Sequence, residues 1–219
     1  MRKAVGEFVG MSLLALAVVG SGVMATKLTA DVALQLLINA AATGAILWLI
    51  INLFSDASGA HFNPVVTLIS LRRSELSARE SAQFLGAQFS GAILGTLLAN
   101  TLFEIDILKV SSKHRDGWIL LLSETIATAG LVFLIFHLKF QGKNRKIAGA
   151  VSAWIFAAYF FTSSTSFANP AITIGRIFTE SFAGIAPHSA LTFIPFQLIG
   201  GVLGYWLALF LNPIGVKNE

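Results

Sequence analysis

Polar positions are sparse and clustered along this chain, and the apolar runs between them set its plan. Six runs are long enough to cross a bilayer: residues 4–26, 32–54, 78–102, 118–138, 148–164 and 190–211. Two more stretches, 63–71 and 169–178, hold only about ten residues each, roughly 15 Å of helix. A hydrocarbon core is about 30 Å thick, so each of these reaches halfway. Both open on an Asn-Pro dipeptide, in Ser58-Gly59-Ala60-His61-Phe62-Asn63-Pro64-Val65-Val66-Thr67 and in Ser166-Phe167-Ala168-Asn169-Pro170-Ala171-Ile172-Thr173. Asn is a good N-cap and Pro fits the first helical position, so each dipeptide predicts a helix start. The half-helices follow the second and fifth spans. The plan is three spans and a half-helix, twice, and the odd number of crossings inverts the second set. Paired interrupted segments of this kind point to a solute pathway at the bilayer midplane.

An internal repeat is legible in the polar and small residues. The third span contains Gln88, Gly91, Ala92 and Gly95, and the sixth contains Gln197, Gly200, Gly201 and Gly204. Both fit Gln-x-x-Gly-small-x-x-Gly, whose glycine face lets helices approach closely. The first and fourth spans each carry one acid near the start, Glu7 and Glu124. An acid inside a membrane needs partners, and two at matched places suit support of the irregular backbone before each half-helix. The expected organisation is one all-α transmembrane domain over residues 1–219, in inverted repeats of about 1–108 and 109–219.

Composition narrows the class. Charged residues make up 12% of the chain against 55% apolar, about half the charged share of a soluble domain. The net charge of +4 follows topology and implies no nucleic acid. With both termini cytoplasmic, Arg2, Lys3, Arg72, Arg73, Arg79, Lys139, Lys143, Arg145, Lys146 and Lys217 fall inside. Lys27, Lys109, Lys113, Arg115 and Arg176 then fall outside, and the imbalance favours that orientation. The opening Met1-Arg2-Lys3 before an apolar run has the look of a signal peptide, but Glu7 within the run favours a retained first helix. Zero cysteines exclude disulfides and thiolate chemistry, and the four histidines show no zinc spacing. With no nucleophile–base pair, metal cluster or phosphate loop, the sequence predicts neither an enzyme nor a cofactor.

On these residues the chain resembles the aquaporin and aquaglyceroporin family, the major intrinsic proteins. Ser58-Gly59-Ala60-His61 before Asn63-Pro64 is similar to that family's first pore loop, and Asn169-Pro170-Ala171 to its second. The resemblance implies six tilted helices, two half-helices meeting at the centre, a pore in each protomer and a homotetramer. Its implied permeants are water and small neutral solutes. The physics agrees with such a passive pore. Each half-helix turns its positive end to the midplane, which repels cations and tolerates neutral solutes. Each Asn accepts a backbone N–H and keeps its NH₂ for a passing hydroxyl.

Family pores narrow at four outer positions, and counting from the Asn-Pro motifs places them at Thr43, Ala157, Ser166 and Ile172. Water-selective members usually have an aromatic, a histidine and an arginine there. Small residues and Ile172 in the arginine's place predict a wider, less polar opening. That resembles bacterial members associated with arsenic resistance, which implies glycerol, urea-like molecules or neutral metalloids such as arsenite, and a bacterial inner membrane. Arg176, four residues past Ile172, lies on nearly the same helix face and is a candidate displaced filter. The plainer alternative is that it reaches the outer headgroups or pairs with Glu180. His61 is expected to line the inner approach. Val65 stands where the family commonly has alanine. Other classes consistent with six spans are an ion-coupled transporter, a strict water channel and a structural membrane protein with a closed pore.

Overall fold

The computed structural model describes residues 1–212, so Lys217, counted above among the inner cations, lies outside the described residues. Eight α-helices run in order: α1 Arg2–Leu28, α2 Val32–Ser58, α3 Pro64–Arg72, α4 Ala78–Leu102, α5 Trp118–Phe140, α6 Ile147–Phe161, α7 Pro170–Gly175 and α8 Pro187–Leu211. Five of them, α1, α2, α4, α5 and α8, are long and apolar enough to cross a membrane. The predicted fifth span, residues 148–164, is the exception. Its helix α6 has 15 residues, about 22 Å, and ends at Phe161. Thr162 turns extended there, and its hydroxyl donates to the Ala158 carbonyl at 2.6 Å, closing the last turn.

Glycine decides how the spans pair. A Cβ on Gly91 or Gly95 would run into the carbonyls of Phe8 or Ser12, so α4 lies directly on α1. In the second half, Gly200 and Gly204 stand in the same way against the Thr125 and Ala129 carbonyls, seating α8 on α5. Backbone contact of this closeness is what small residues supply when lipid, rather than water, surrounds the bundle. The outer surface carries large exposed side chains such as Trp48, Leu53, Trp118, Leu191, Trp206 and Phe210. The two short helices lie between the spans; α7 is almost wholly buried, while α3 buries its N-terminal part and exposes Leu68 and Arg72.

Candidate functional site

The sequence leading into each half-helix cannot be helical. Ala60 and Phe62 have φ of 48° and 44°, and Ser166 and Ala168 have 52° and 47°, the same two places before each Asn. Left-handed conformations cost a non-glycine residue about 1–2 kcal/mol, so something must hold them. Two buried carboxylates do. Glu7 accepts the backbone N–H of His61 at 3.0 Å and of Phe62 at 2.7 Å, along with the Ser58 hydroxyl and the Gln88 amide at 2.7 Å each. Glu124 accepts the N–H of Phe167 and Ala168 at 2.9 Å each and the Gln197 amide at 2.6 Å. Gln88 and Gln197 reach on to Thr67 and Thr173 at 2.9 Å. Those threonines in turn donate to the Asn63 and Asn169 carbonyls. Acid, glutamine, threonine and asparagine thus form the same chain twice.

The two half-helices meet through their caps. Asn63 Oδ1 accepts the Val65 N–H at 2.9 Å, and Asn169 Oδ1 accepts those of Ala171 and Ile172 at 3.0 and 3.3 Å. Each side-chain amide then crosses to the other loop: Asn63 Nδ2 donates to the Ala168 carbonyl at 2.8 Å, and Asn169 Nδ2 to the Phe62 carbonyl at 2.7 Å. The expectation of a fully free NH₂ is therefore half met. One hydrogen ties the loops together, and the second remains on an amide that lines the cavity.

That cavity, about 700 Å³, runs past both asparagines from one end of the bundle to the other. One mouth is bordered by Asp56, Lys139, Asn144 and Arg145, with His61 a little deeper. His61 Nδ1 lies 3.1 Å from the Thr67 hydroxyl, and its ring meets Phe84 edge-on. At the other end Thr43, Ser166, Ile172 and Arg176 line the wall, so four of the five outer positions inferred from spacing come together.

Ala157 does not join them. It is exposed on the outer face of α6, and Tyr159 faces the cavity in its place, its hydroxyl 3.0 Å from that of Thr43. Counting back from Asn169 fails because α6 ends at Phe161 and the loop to Ala168 mixes left-handed and extended residues, so residue number no longer tracks helix face. The outer end consequently holds an aromatic and an arginine after all. Arg176 is buried over the Phe167 ring, its guanidinium carbon 3.5 Å from the ring centroid, and its Nε donates to the Ala183 carbonyl. It does not pair with Glu180, which accepts from the Ser112 N–H and hydroxyl at 2.7 and 2.9 Å.

Two cations that spacing gave no reason to single out lie behind this wall, outside the cavity lining. Arg115 stacks on the same Phe167 ring at 5.0 Å and donates to the Gly184 carbonyl at 3.1 Å. Lys113 donates to the Phe182 carbonyl at 2.9 Å. Burial, and then the charges of Arg115 and Arg176, push the Lys113 ammonium down to about 8. Val65, by contrast, faces away from the lumen: its side chain fills the space that Gly201 of α8 leaves open.

The family model described as major intrinsic protein matches residues 1–163. The chain belongs to the major intrinsic protein family. Aquaglyceroporin AqpS of Rhizobium meliloti (strain 1021) is 44% identical over 218 residues, covering 97% of this chain and 93% of its own. Human aquaporin-4 is 25% identical over 221 residues, covering 97% of this chain and 63% of its own. Among solved structures, the aquaglyceroporin from Plasmodium falciparum superposes with a TM-score of 0.72 at 19% identity, covering 97% of this chain and 96% of that one. This major intrinsic protein is a passive integral-membrane channel and not an enzyme.

Proposed function

We propose that this major intrinsic protein is a broad neutral-solute pore, passing water together with glycerol, urea-like molecules and uncharged metalloid acids such as arsenite. The observation that carries this reading is the crossed pair of asparagines. Each keeps one amide hydrogen for the lumen, at the positive tip of a half-helix, so a hydroxyl is offered a donor while a cation meets like charge. The name of the AqpS relative, an aquaglyceroporin, supports a solute range beyond water. Asn63, Pro64, Val65, Asn169, Pro170 and Ala171 are assigned to the two pore motifs, and Glu7 and Glu124 to loop support. His61 lines the inner approach. The outer constriction is assigned to Thr43, Tyr159, Ser166 and Ile172, with Arg176 supplying the charge from the next turn.

The assembly inferred is a homotetramer in a bacterial inner membrane, both termini cytoplasmic, with residues 1–219 forming one channel domain of two repeats. Liposomes carrying the protein are expected to shrink faster under an osmotic step and to take up glycerol and arsenite down their own gradients. Flux that required a proton or sodium gradient would make it a coupled transporter instead. Tyr159 and Arg176 at the outer end favour one second reading, a water-selective pore. Water flux with glycerol and arsenite uptake at the level of empty vesicles would decide for it.

A further inference from the structure

A second cavity, about 670 Å³, opens on the outside of the bundle between α3 and α8, away from the pore. Its walls are Val65, Leu68, Ile69, Leu198, Val202 and Leu209, and Trp206 stands exposed beside it. Arg72, Arg73 and Tyr205 close one end. The groove exists because the two half-helices seat differently. Six residues past Asn169 is Gly175, where an added Cβ would lie 2.8 Å from the Ala92 carbonyl, so α7 rests on α4. Six residues past Asn63 is Ile69, whose larger side chain stands in the matching place on α3, near Gly201 of α8, and lines the gap.

The charges at the closed end are unequal. Arg73 is satisfied: it donates to Glu75 at 2.7 Å and to the Tyr205 hydroxyl at 3.1 Å, and lies 4.7 Å over the Phe140 ring. Arg72 is exposed and makes no hydrogen bond or ion pair among the described residues. The matching positions after Asn169 are Phe178 and Thr179, so the other half-helix presents no cation there. An apolar trough in a membrane-facing wall, ending at an unpaired guanidinium flanked by Trp and Tyr, has the chemistry of a lipid site.

We propose that this groove binds one anionic phospholipid, an acyl chain lying between α3 and α8 and its phosphate on Arg72. Arginine suits that role because its fork matches phosphate oxygens and it is always charged. The site rests only on membrane residence and is independent of which solute the pore passes.

Native mass spectrometry of the intact protein, titrated in detergent with phosphatidylglycerol or phosphatidylcholine, tests it. The wild type should retain phosphatidylglycerol about fivefold better, the worth of one interfacial cation. Arg72→Gln should bring the two lipids near parity, and Val202→Trp, which fills the trough, should weaken both. In vesicles, brominated phosphatidylglycerol should quench a component of the fluorescence that Trp206→Phe removes. Equal retention of both lipids by the wild type would overturn the proposal. So would retention that neither variant changes, or variants that alter the oligomer mass while lipid binding stays the same, which would place a second copy of the chain in the groove.

Discussion

The half-helix that begins at Asn63 and the one that begins at Asn169 have the same support and opposite surroundings. Each is held by a carboxylate, a glutamine and a threonine in the same bonds, and each gives its cap amide to the other's loop. Near the first, a carboxylate answers two of the cations: Glu75 bonds Arg73 at 2.7 Å and Lys139 at 2.9 Å. Around the second, Lys113, Arg115 and Arg176 gather with no carboxylate at ion-pair distance among the described residues, and spend their donors on the carbonyls of Phe182, Gly184 and Ala183. The repeated part builds the pore's waist. The part that is not repeated leaves a buried guanidinium, Arg176, in the lumen wall at one end, and cation rejection is expected to depend on it.

The largest expected effect tests the shared support. Glu7→Ala strands the N–H groups of His61 and Phe62, and Glu124→Ala those of Phe167 and Ala168. At about 1–3 kcal/mol for each buried unsatisfied donor, either change should cost several kcal/mol. Both should lower the melting temperature in detergent by similar amounts. A large loss from one and none from the other would end the idea of equivalent scaffolds.

Next comes a difference in packing. Gly201→Ala places a methyl against Val65 and should destabilise by about 1–3 kcal/mol, as overpacking does. Adding Val65→Ala should restore most of it. Additivity of the two changes within about 0.5 kcal/mol would show that the pair is uncoupled.

The two mouths can be separated by ion leak. Arg176→Gln should raise cation conductance in vesicles by about tenfold, the scale on which a charged mouth alters local ion concentration. Lys139→Gln, at the other mouth, where Glu75 already pairs that ammonium, should change it little. Within the outer end, Tyr159→Ala should raise glycerol flux relative to water, whereas Ala157→Ser on the exposed face should leave the ratio alone. Ile172→Arg should narrow the pore and suppress glycerol more than water. Identical flux ratios in all three would move the constriction elsewhere.

The smallest effect is a pH dependence. The Lys113 ammonium is pushed from 10.5 down to about 8 in the folded chain, so the unfolded chain binds more protons between those values. Stability from this group should therefore be complete above about 10.5 and lost as pH falls through about 8. Half-exposure and salt keep it small. The melting temperature of the wild type, compared with Lys113→Gln from pH 7 to 10, should show a gain with pH that the variant lacks.

Much of the waist was legible because its chemistry is local or repeated. Asn before Pro is a cap and a first turn whatever lies around it, and the helix starts appear at Pro64 and Pro170 as expected. Glu7 and Glu124 could be paired with the loops because an acid in lipid has few other uses. The outer constriction was less legible. Thr43, on a continuous helix, came out at the wall, but Ala157 did not, since seven irregular residues separate α6 from Asn169. Arg115 and Lys113 were invisible as a group with Arg176: they lie more than sixty residues away and converge only on loop carbonyls.

By itself the sequence determined that this chain lives in a membrane, crosses it in two inverted sets and carries a capped half-helix in each. Those properties depend on hydropathy, cap chemistry and period, which act over a few residues. Tertiary structure alone decided which side chains share the lumen, how the asparagine amides cross, and why α7 rests on α4 while α3 carries Ile69 in the matching place. Each of these turns on the rotation and separation of helices distant in sequence, and close backbone approach at a glycine sets both.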